Sequence, residues 1–123
     1  MNKRILIVDD SAPTRGLVRK FIESRSGFEI CGEATDGAEG VEKAHQLRPD
    51  LILLDFSMPQ MNGLQAALII HQKDPITPII LFTFYKDVLS SHVVHAVGVA
   101  SIISKSDPLP TLADEIQILT RQN

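Results

Sequence analysis

The segment Asp50–Pro59, which reads Asp-Leu-Ile-Leu-Leu-Asp-Phe-Ser-Met-Pro, decides the fold of this chain. Its four consecutive aliphatic residues end at Asp55, and a loop closed by a proline follows. An apolar run of this length, without polar alternation, is typical of a strand buried on both faces of a parallel sheet. Asp55 is therefore predicted at the carboxyl end of a central strand, where such a sheet opens to solvent.

The amino-terminal segment repeats this pattern. Residues 5–8 are Ile-Leu-Ile-Val, and Asp9 and Asp10 follow directly. If the two strands are parallel neighbours, their carboxyl ends meet at one edge of the sheet. We therefore expect the carboxylates of Asp9, Asp10 and Asp55 to lie close together, and this cluster is the first candidate for a functional site.

The remaining sequence alternates short apolar segments with amphipathic segments of helical period. The predicted strands cover residues 4–8, 28–34, 51–54, 79–83 and 101–104. The predicted helices begin near Ser11, Asp36, Asn62, Lys86 and Pro110. This alternation predicts an α/β fold, a doubly wound five-stranded parallel sheet with helices on both faces.

The helices carry more detailed expectations. The stripe of the first helix that faces the core is predicted to include Leu17, with Arg15 pointing away from it. Ala38 is predicted on the buried face of the second helix, and Asp36 with Glu39 predicts a capping box at its start. The fourth helix is predicted to run without interruption over residues 86–97.

Composition and charge limit the class of protein. Hydrophobic residues make up 44% of the 123 residues and charged residues 22%, which is typical of one soluble globular domain. The net charge of −3, without a basic run, argues against direct nucleic-acid binding. Cys31 is the only cysteine, so an internal disulfide is excluded. No signal peptide or membrane span is apparent, and we predict a cytoplasmic protein.

Every candidate polar residue falls at the carboxyl end of a predicted strand. Thr83 ends the fourth strand and Lys105 follows the fifth, beside the three acids. Taken singly, an acid after a strand is typically a helix cap, and a lysine on a loop is typically solvated. The coincidence at four strand ends is what favours a functional site.

Carboxylate and carbonyl oxygens suit a hard divalent cation, and Mg²⁺ is the common cellular choice. An ammonium and a hydroxyl at the same edge suit a phosphoryl group in transfer. One carboxylate at such a site could act as the nucleophile and form an aspartyl phosphate. The residues therefore favour phosphoryl chemistry that depends on Mg²⁺.

The sequence resembles the receiver domains of two-component response regulators along essentially its whole length. The motifs that carry the resemblance are Val8-Asp9-Asp10, Leu54-Asp55-x-x-Met58-Pro59-x-Met61-x-Gly63, Leu81-Phe82-Thr83, and Gly98 with Lys105 seven residues later. The resemblance implies a flavodoxin-like strand order, 2-1-3-4-5. It also implies one receiver domain over residues 1–123, either acting alone by protein contact or as the amino-terminal part of a longer regulator.

The resemblance implies a role for each acid at this edge. Asp55 would be the phospho-acceptor, taking the group from a phosphohistidine on a sensor histidine kinase or phosphotransfer protein. Asp10 and Asp55 would bind Mg²⁺ directly together with the backbone carbonyl of Ser57, and Asp9 would act through water. No turnover of an external substrate is expected.

The resemblance also implies roles for Thr83 and Lys105. Lys105 would pair with the phosphoryl group, and the Thr83 hydroxyl would close over it and carry the signal. The helix 4–strand 5–helix 5 face is the usual output surface, and here it offers Val88, Val94 and Ile103. A homodimer or a docked partner at this face is a hypothesis.

The sequence departs from the family pattern at three places. Ile102 stands where many receivers have an aromatic switch residue. Ser106 stands where many have a proline after the lysine, and we predict that the Lys105–Ser106 bond is nevertheless cis. Ser57 and Tyr85 occupy positions that tune phosphoryl lifetime, and the bulk of Tyr85 predicts a longer-lived phosphoryl group.

Three alternatives remain. A flavodoxin-type FMN carrier has the same fold, but Asp9 and Asp10 would repel the flavin phosphate. A hydrolase with a transient aspartyl phosphate would have an acid two residues after the nucleophile, where this chain has Ser57. A degenerate receiver would bind partners without being phosphorylated, and Ile102 leaves room for such an output.

Overall fold

A computed structural model describes residues 1–121 of the chain. Five strands alternate with five α-helices, and a short 3-10 helix, Lys86–Val88, precedes the fourth α-helix. The strands are β1 (Lys3–Val8), β2 (Phe28–Ala34), β3 (Leu51–Leu54), β4 (Ile79–Thr83) and β5 (Ser101–Ser104). The helices are α1 (Ala12–Glu23), α2 (Gly37–Leu47), α3 (Gly63–Lys73), α4 (Ser91–Ala96) and α5 (Leu109–Thr120).

The five strands form one parallel sheet in the order β2-β1-β3-β4-β5, which confirms the predicted fold class and strand order. Val8 pairs with Leu54, and Leu54 pairs with Leu81. The carboxyl ends of β1, β3 and β4 therefore lie side by side. This alignment is what brings the polar residues that follow each strand to one edge.

Both faces of the sheet are covered, as the apolar runs predict. Residues 5–8, 51–54 and 79–83 are buried throughout. One face packs with the apolar side chains of α2, α3 and α4, and the other with those of α1 and α5. β2 is only partly buried, as expected for an edge strand. No helix within residues 1–121 combines the length and apolar character needed to cross a membrane.

The predicted capping box at the start of α2 forms only in part. The Asp36 side chain accepts the amide N–H of Glu39 at 2.8 Å. The Glu39 carboxylate, however, accepts the amide N–H of Thr35 at 2.6 Å instead of that of Asp36. The reciprocal arrangement occurs at α3, where Asn62 and Gln65 each accept the other's amide N–H.

The prediction of an uninterrupted fourth helix was wrong. The chain forms a 3-10 turn, Lys86–Val88, and then the separate helix Ser91–Ala96. Ser90 between them has an extended backbone, and its side chain accepts the amide N–H of Val93. A serine that caps the following turn cannot also continue the preceding one, so the helix restarts at this residue.

Two predicted core positions are exposed. The Leu17 side chain is 60% exposed, whereas Val18 and Ile22 of the same predicted stripe are buried. Ala38 is exposed because α2 turns a glycine toward the sheet. A Cβ atom at Gly40 would lie 2.7 Å from Cγ1 of Val8, so this helix approaches β1 more closely than any side chain permits.

Candidate functional site

The backbone ladders of β1 and β3 extend one residue into the acids. The amide N–H of Asp9 donates to the carbonyl of Ala34 at 3.0 Å. The amide N–H of Asp55 donates to the carbonyl of Val8 at 2.8 Å. The backbone of both acids is therefore fixed by hydrogen bonds of the sheet, and this fixes the points from which their side chains extend.

The three predicted carboxylates converge. Each of Asp9, Asp10 and Asp55 offers a carboxylate oxygen, and these oxygens lie within 4.8 Å of one another. Asp9 and Asp55 are buried and Asp10 is exposed. Like charges this close destabilise the ionised state unless a cation compensates them. An oxygen-only ligand set at such a cluster suits a hard divalent cation.

Lys105 supplies one compensating charge. Its Nζ atom lies 2.8 Å from Oδ2 of Asp9 and 3.3 Å from Oδ1 of Asp55, and its side chain is 8% exposed. The amide N–H of Lys105 donates to the carbonyl of Thr83 at 2.9 Å, which extends the β4–β5 ladder. The ammonium also lies 5.5 Å from the centre of the Phe84 ring. The sheet therefore aims this lysine at the acids.

Thr83 lies at the end of β4 and is fully buried. Its Oγ1 atom accepts the amide N–H of Tyr85 at 3.0 Å. The hydroxyl is thus coupled to the backbone of the loop that leads toward α4. A movement of this hydroxyl would break its hydrogen bond with the Tyr85 amide, and Tyr85 belongs to that loop.

Gly63 closes the loop that follows Asp55. Its amide N–H donates to the carbonyl of Phe56 at 2.8 Å. A Cβ atom at this position would lie 2.3 Å from the carbonyl oxygen of Asp55. This close approach to the Asp55 backbone is the physical reason that a glycine is needed at residue 63.

The surroundings of Asp55, which directly follows β3, disfavour its charged form. Burial raises the pKa of Asp55, and the neighbouring charge of Asp9 raises it further. The charge and hydrogen bond of Lys105 lower the pKa, as does the backbone N–H of Ser57, but they do not offset the first two effects. A further cation beside these carboxylates would stabilise the ionised form.

Comparison with known protein families identifies the family to which this chain belongs. The family model described as the response regulator receiver domain matches residues 5–117. The chain belongs to the response regulator receiver domain family. The resemblance inferred from the sequence motifs is thereby confirmed, and the protein is a receiver domain of the two-component and chemotaxis response regulators.

Individual relatives agree with this assignment. The chemotaxis protein CheY of Thermotoga maritima is 46% identical over 81 residues, covering 66% of this chain and 67% of that protein. The crystal structure of the response regulator domain of Thermotoga maritima CheB has a TM-score of 0.90 at 30% identity, covering 100% of this chain and 99% of that one. Both the sequence and the fold therefore place the chain among receivers.

Several similar proteins are longer than this chain. A protein-glutamate methylesterase/protein-glutamine glutaminase of Archaeoglobus fulgidus is 36% identical over 122 residues, which is 97% of this chain but 34% of that protein. A CheX-CheY-BeF3-Mg complex from Borrelia burgdorferi has a TM-score of 0.87 at 27% identity, covering 98% of this chain and 90% of that one. The receiver module thus occurs both in short proteins and in longer effector proteins.

The prediction of a cis bond in this receiver was wrong. The Lys105–Ser106 peptide bond is trans. The amide N–H of Ser106 donates to Oγ of Ser104 at 3.0 Å, and that of Asp107 donates to the Ser104 carbonyl at 3.1 Å. This turn and the backbone pairing with Thr83 direct the Lys105 side chain to the acids while the peptide bond stays trans. A cis bond before a residue other than proline would cost roughly 3–4 kcal/mol, and this cost is avoided.

Two of the three residues expected on the helix 4–strand 5–helix 5 face are not available at the surface. Val94 and Ile103 are buried in the core, whereas Val88 is 77% exposed. Ile102 is partly buried against the cluster that covers the α2, α3 and α4 side of the sheet. Ile102 carries no ring, so this receiver has no aromatic switch residue at position 102.

The sequence reasoning missed two sets of contacts around the site. Arg15 was predicted to point away from the core, but its Nη1 atom donates to the carbonyl of Asp9 at 2.7 Å. The rings of Phe56 and Tyr85 meet edge to face with centroids 6.2 Å apart. Neither contact has a signature in the sequence, because each joins segments that only the folded sheet brings together.

Proposed function

We propose that this receiver is a phospho-acceptor switch in which Asp55 takes a phosphoryl group. The observation that carries the proposal is the buried ammonium of Lys105, which contacts both Asp55 and Asp9 within a cluster of three carboxylates. A cation so placed can stabilise negative charge on a phosphoryl group attached to Asp55. The relation of the chain to CheY supports the same role.

We further propose that the site works with Mg²⁺. Asp10 and Asp55 would bind the ion directly with the backbone carbonyl of Ser57, and Asp9 would hold it through water. Three carboxylates and one ammonium leave two negative charges, which matches a divalent cation. When bound, Mg²⁺ would neutralise charge on the incoming phosphoryl oxygens and so allow an anionic nucleophile to approach.

The proposed transfer forms one bond to phosphorus and breaks one. A carboxylate oxygen of Asp55 attacks the phosphorus of a phosphohistidine whose other ring nitrogen is protonated, the phosphorus–nitrogen bond breaks, and the imidazole leaves as the neutral base. Lys105 moves its ammonium from Asp9 toward the phosphoryl oxygens. The Thr83 hydroxyl, whose oxygen accepts the Tyr85 amide N–H, moves toward the phosphoryl group, donates its hydrogen to it and gives up the Tyr85 contact. Loss of the Tyr85 contact would carry the signal into the following loop.

A sensor histidine kinase or phosphotransfer protein would be the donor, in the cytoplasm, and the chain would turn over no external substrate. It would act by protein contact, with no direct binding of nucleic acid or membrane. A phosphorylation-independent binding module is the second candidate, favoured by the exposed apolar residues of the segment that follows β4, such as Phe84 and Val88.

The test is the intact mass of the protein after incubation with acetyl phosphate and Mg²⁺. We expect a phosphoryl adduct in the wild type that is absent in Asp55→Asn and absent when the metal is chelated. A folded protein that binds Mg²⁺ and forms no adduct would contradict the switch and support the binding module. An adduct that persists in Asp55→Asn would place the acceptor elsewhere.

The output surface, defined here as Phe84, Tyr85, Val88 and Val93, would contact a partner or a second copy of the chain. Its four side chains are between 48% and 77% exposed, and they follow β4 or lie on α4. We expect Val88→Asp with Val93→Asp to weaken phosphorylation-dependent association, measured by sedimentation, without changing adduct formation. Ile76→Asp, at an exposed apolar residue in the α3–β4 loop, is the matched control. Unchanged association in the double variant would exclude this surface as the contact.

A further inference from the structure

The backbone N–H, the carbonyl oxygen and both carboxylate oxygens of Asp9 each have a partner. Its amide N–H donates to the carbonyl of Ala34, and its Oδ1 atom accepts the amide N–H of Ser11 at 2.9 Å. Its Oδ2 atom contacts Lys105 at 2.8 Å. Its carbonyl oxygen accepts Nη1 of Arg15 at 2.7 Å. Of these four contacts, the one with Arg15 is made by a side chain that takes no part in the function proposed above.

Arg15 is itself held in a defined orientation. Its Nε atom donates to Oε1 of Glu33 at 2.9 Å, and its side chain is 15% exposed. The guanidinium therefore bridges two acceptors on different segments, the Glu33 carboxylate on β2 and the Asp9 carbonyl after β1. The planar fork of arginine can serve two acceptors at fixed angles, which the single ammonium of lysine does less well.

We propose that Arg15, oriented by Glu33, is a positioning residue for Asp9. By fixing the peptide that leaves Asp9, it fixes the direction of the carboxylate that meets Lys105 and faces the proposed metal site. The inference rests on the proposed function of that site, since it names a further residue on which the metal cluster depends. Asp9 would meet the ion through water, so Arg15 would act through an outer contact of the site, and the loss of such outer contacts commonly changes metal affinity.

The same network contains a matched control. Arg19 donates to the other oxygen of Glu33 at 2.6 Å and to Glu23 at 3.2 Å, and it ties α1 to β2 as Arg15 does. The hydrogen bonds recorded for Arg19 go to these two carboxylates and not to Asp9. A purely structural role for the Glu33 ion pairs would therefore give Arg15 and Arg19 variants the same phenotype.

The first measurement is Mg²⁺ binding by isothermal titration calorimetry. We expect Arg15→Gln to weaken Mg²⁺ binding by about 5- to 10-fold, below or at the lower end of the range typical for residues that support a metal ligand. Arg15→Lys, which keeps the charge but not the fork, should weaken it similarly, and Arg19→Gln should stay within about twofold. Equal losses in Arg15→Gln and Arg19→Gln, or wild-type affinity in Arg15→Lys, would overturn the proposal.

The second measurement needs no metal. The amide of Ser11 donates to Oδ1 of Asp9, so its NMR chemical shift and hydrogen-exchange rate report the carboxylate position. In metal-free protein we expect both to change in Arg15→Gln and to stay at wild-type values in Arg19→Gln. Unchanged values in both variants would overturn the positioning role. A wild type that binds no Mg²⁺ would instead contradict the proposed metal site, while the Ser11 amide would still decide the role of Arg15.

Discussion

The Nζ atom of Lys105 lies 2.8 Å from Oδ2 of Asp9, and both side chains are almost completely buried. The lysine reaches this position from the far side of the site, since β5 is separated from β1 by two strands. A buried ammonium so placed is the resident counter-ion of the acidic cluster. It makes the cluster compatible with folding and leaves two charges for a metal ion.

Removal of this counter-ion is expected to destabilise the metal-free protein. Lys105→Met should lower the free energy of unfolding by about 1.5–3 kcal/mol, because buried carboxylates lose a charged hydrogen-bond partner. Urea denaturation in chelator measures this, and added Mg²⁺ should restore more stability to the variant than it adds to the wild type. Lys86→Met, at an exposed lysine, is the control, and equal losses in both variants would refute the expectation.

Gly63→Ala is expected to displace the backbone of Asp55, the proposed phospho-acceptor. The new methyl group would lie 2.3 Å from the Asp55 carbonyl and 2.8 Å from Cα of Phe56, so the loop must move. We expect a loss of about 2–3 kcal/mol in unfolding free energy and slower formation of the phosphoryl adduct.

The control for this variant is Gly16→Ala on α1. A Cβ atom there would meet no atom of the surrounding described residues within 4 Å. Replacing a glycine inside a helix by alanine should raise the unfolding free energy by about 0.5–1 kcal/mol. If both alanine variants gained stability, the close approach at residue 63 would have no energetic consequence.

Tyr85 is expected to lengthen the life of the phosphoryl group. Its ring packs edge to face on Phe56, next to Asp55, and is still half exposed, so it can shield the site from water. Tyr85→Ala should lose the phosphoryl group several-fold faster than the wild type, measured by decay of the adduct mass. Tyr85→Phe keeps the ring and should behave as the wild type. A slower decay in Tyr85→Ala would contradict the shielding role.

Glu33 is expected to make stability depend on pH. Burial raises the pKa of Glu33, but hydrogen bonds from Arg19 and Arg15 outweigh it, and the pKa falls below its ordinary value of 4.5. Its contribution is therefore complete above pH 4.5 and is lost as the pH falls through the lower folded-state pKa. The ion pairs are partly exposed, so we expect Glu33→Gln to cost about 1 kcal/mol at neutral pH.

Chemical denaturation of wild type and Glu33→Gln across pH 7 to about pH 3 measures this dependence. The difference between the two proteins should shrink as the pH falls below 4.5. Glu29→Gln, at an exposed glutamate on the same strand, should show a small difference throughout. A constant difference between wild type and Glu33→Gln would show that the carboxylate charge is not what stabilises the fold.

The sequence by itself determined the strands, the fold class and the acidic edge. Runs such as residues 5–8 and 51–54 are apolar at every position, which is typical of a strand buried on both faces, and the structure buries them so. Since Asp9 and Asp55 directly follow such strands, parallel pairing alone brings them together. The order of the strands in the sheet was predicted from the resemblance of the motifs to receiver domains, and the structure has this order. These features are local or follow from the parallel geometry, so they could be predicted.

The tertiary structure decided what depends on the distance between elements. The close packing of α2 on β1 exposes Ala38, and the turn after β5 aims Lys105 through a trans bond. Arg15 reaches Asp9 because Glu33, 18 residues later in the chain, lies on the neighbouring strand and orients the guanidinium. Such contacts are set by how helices and strands pack at ångström resolution, and hydrophobic period and motif spacing do not carry that information.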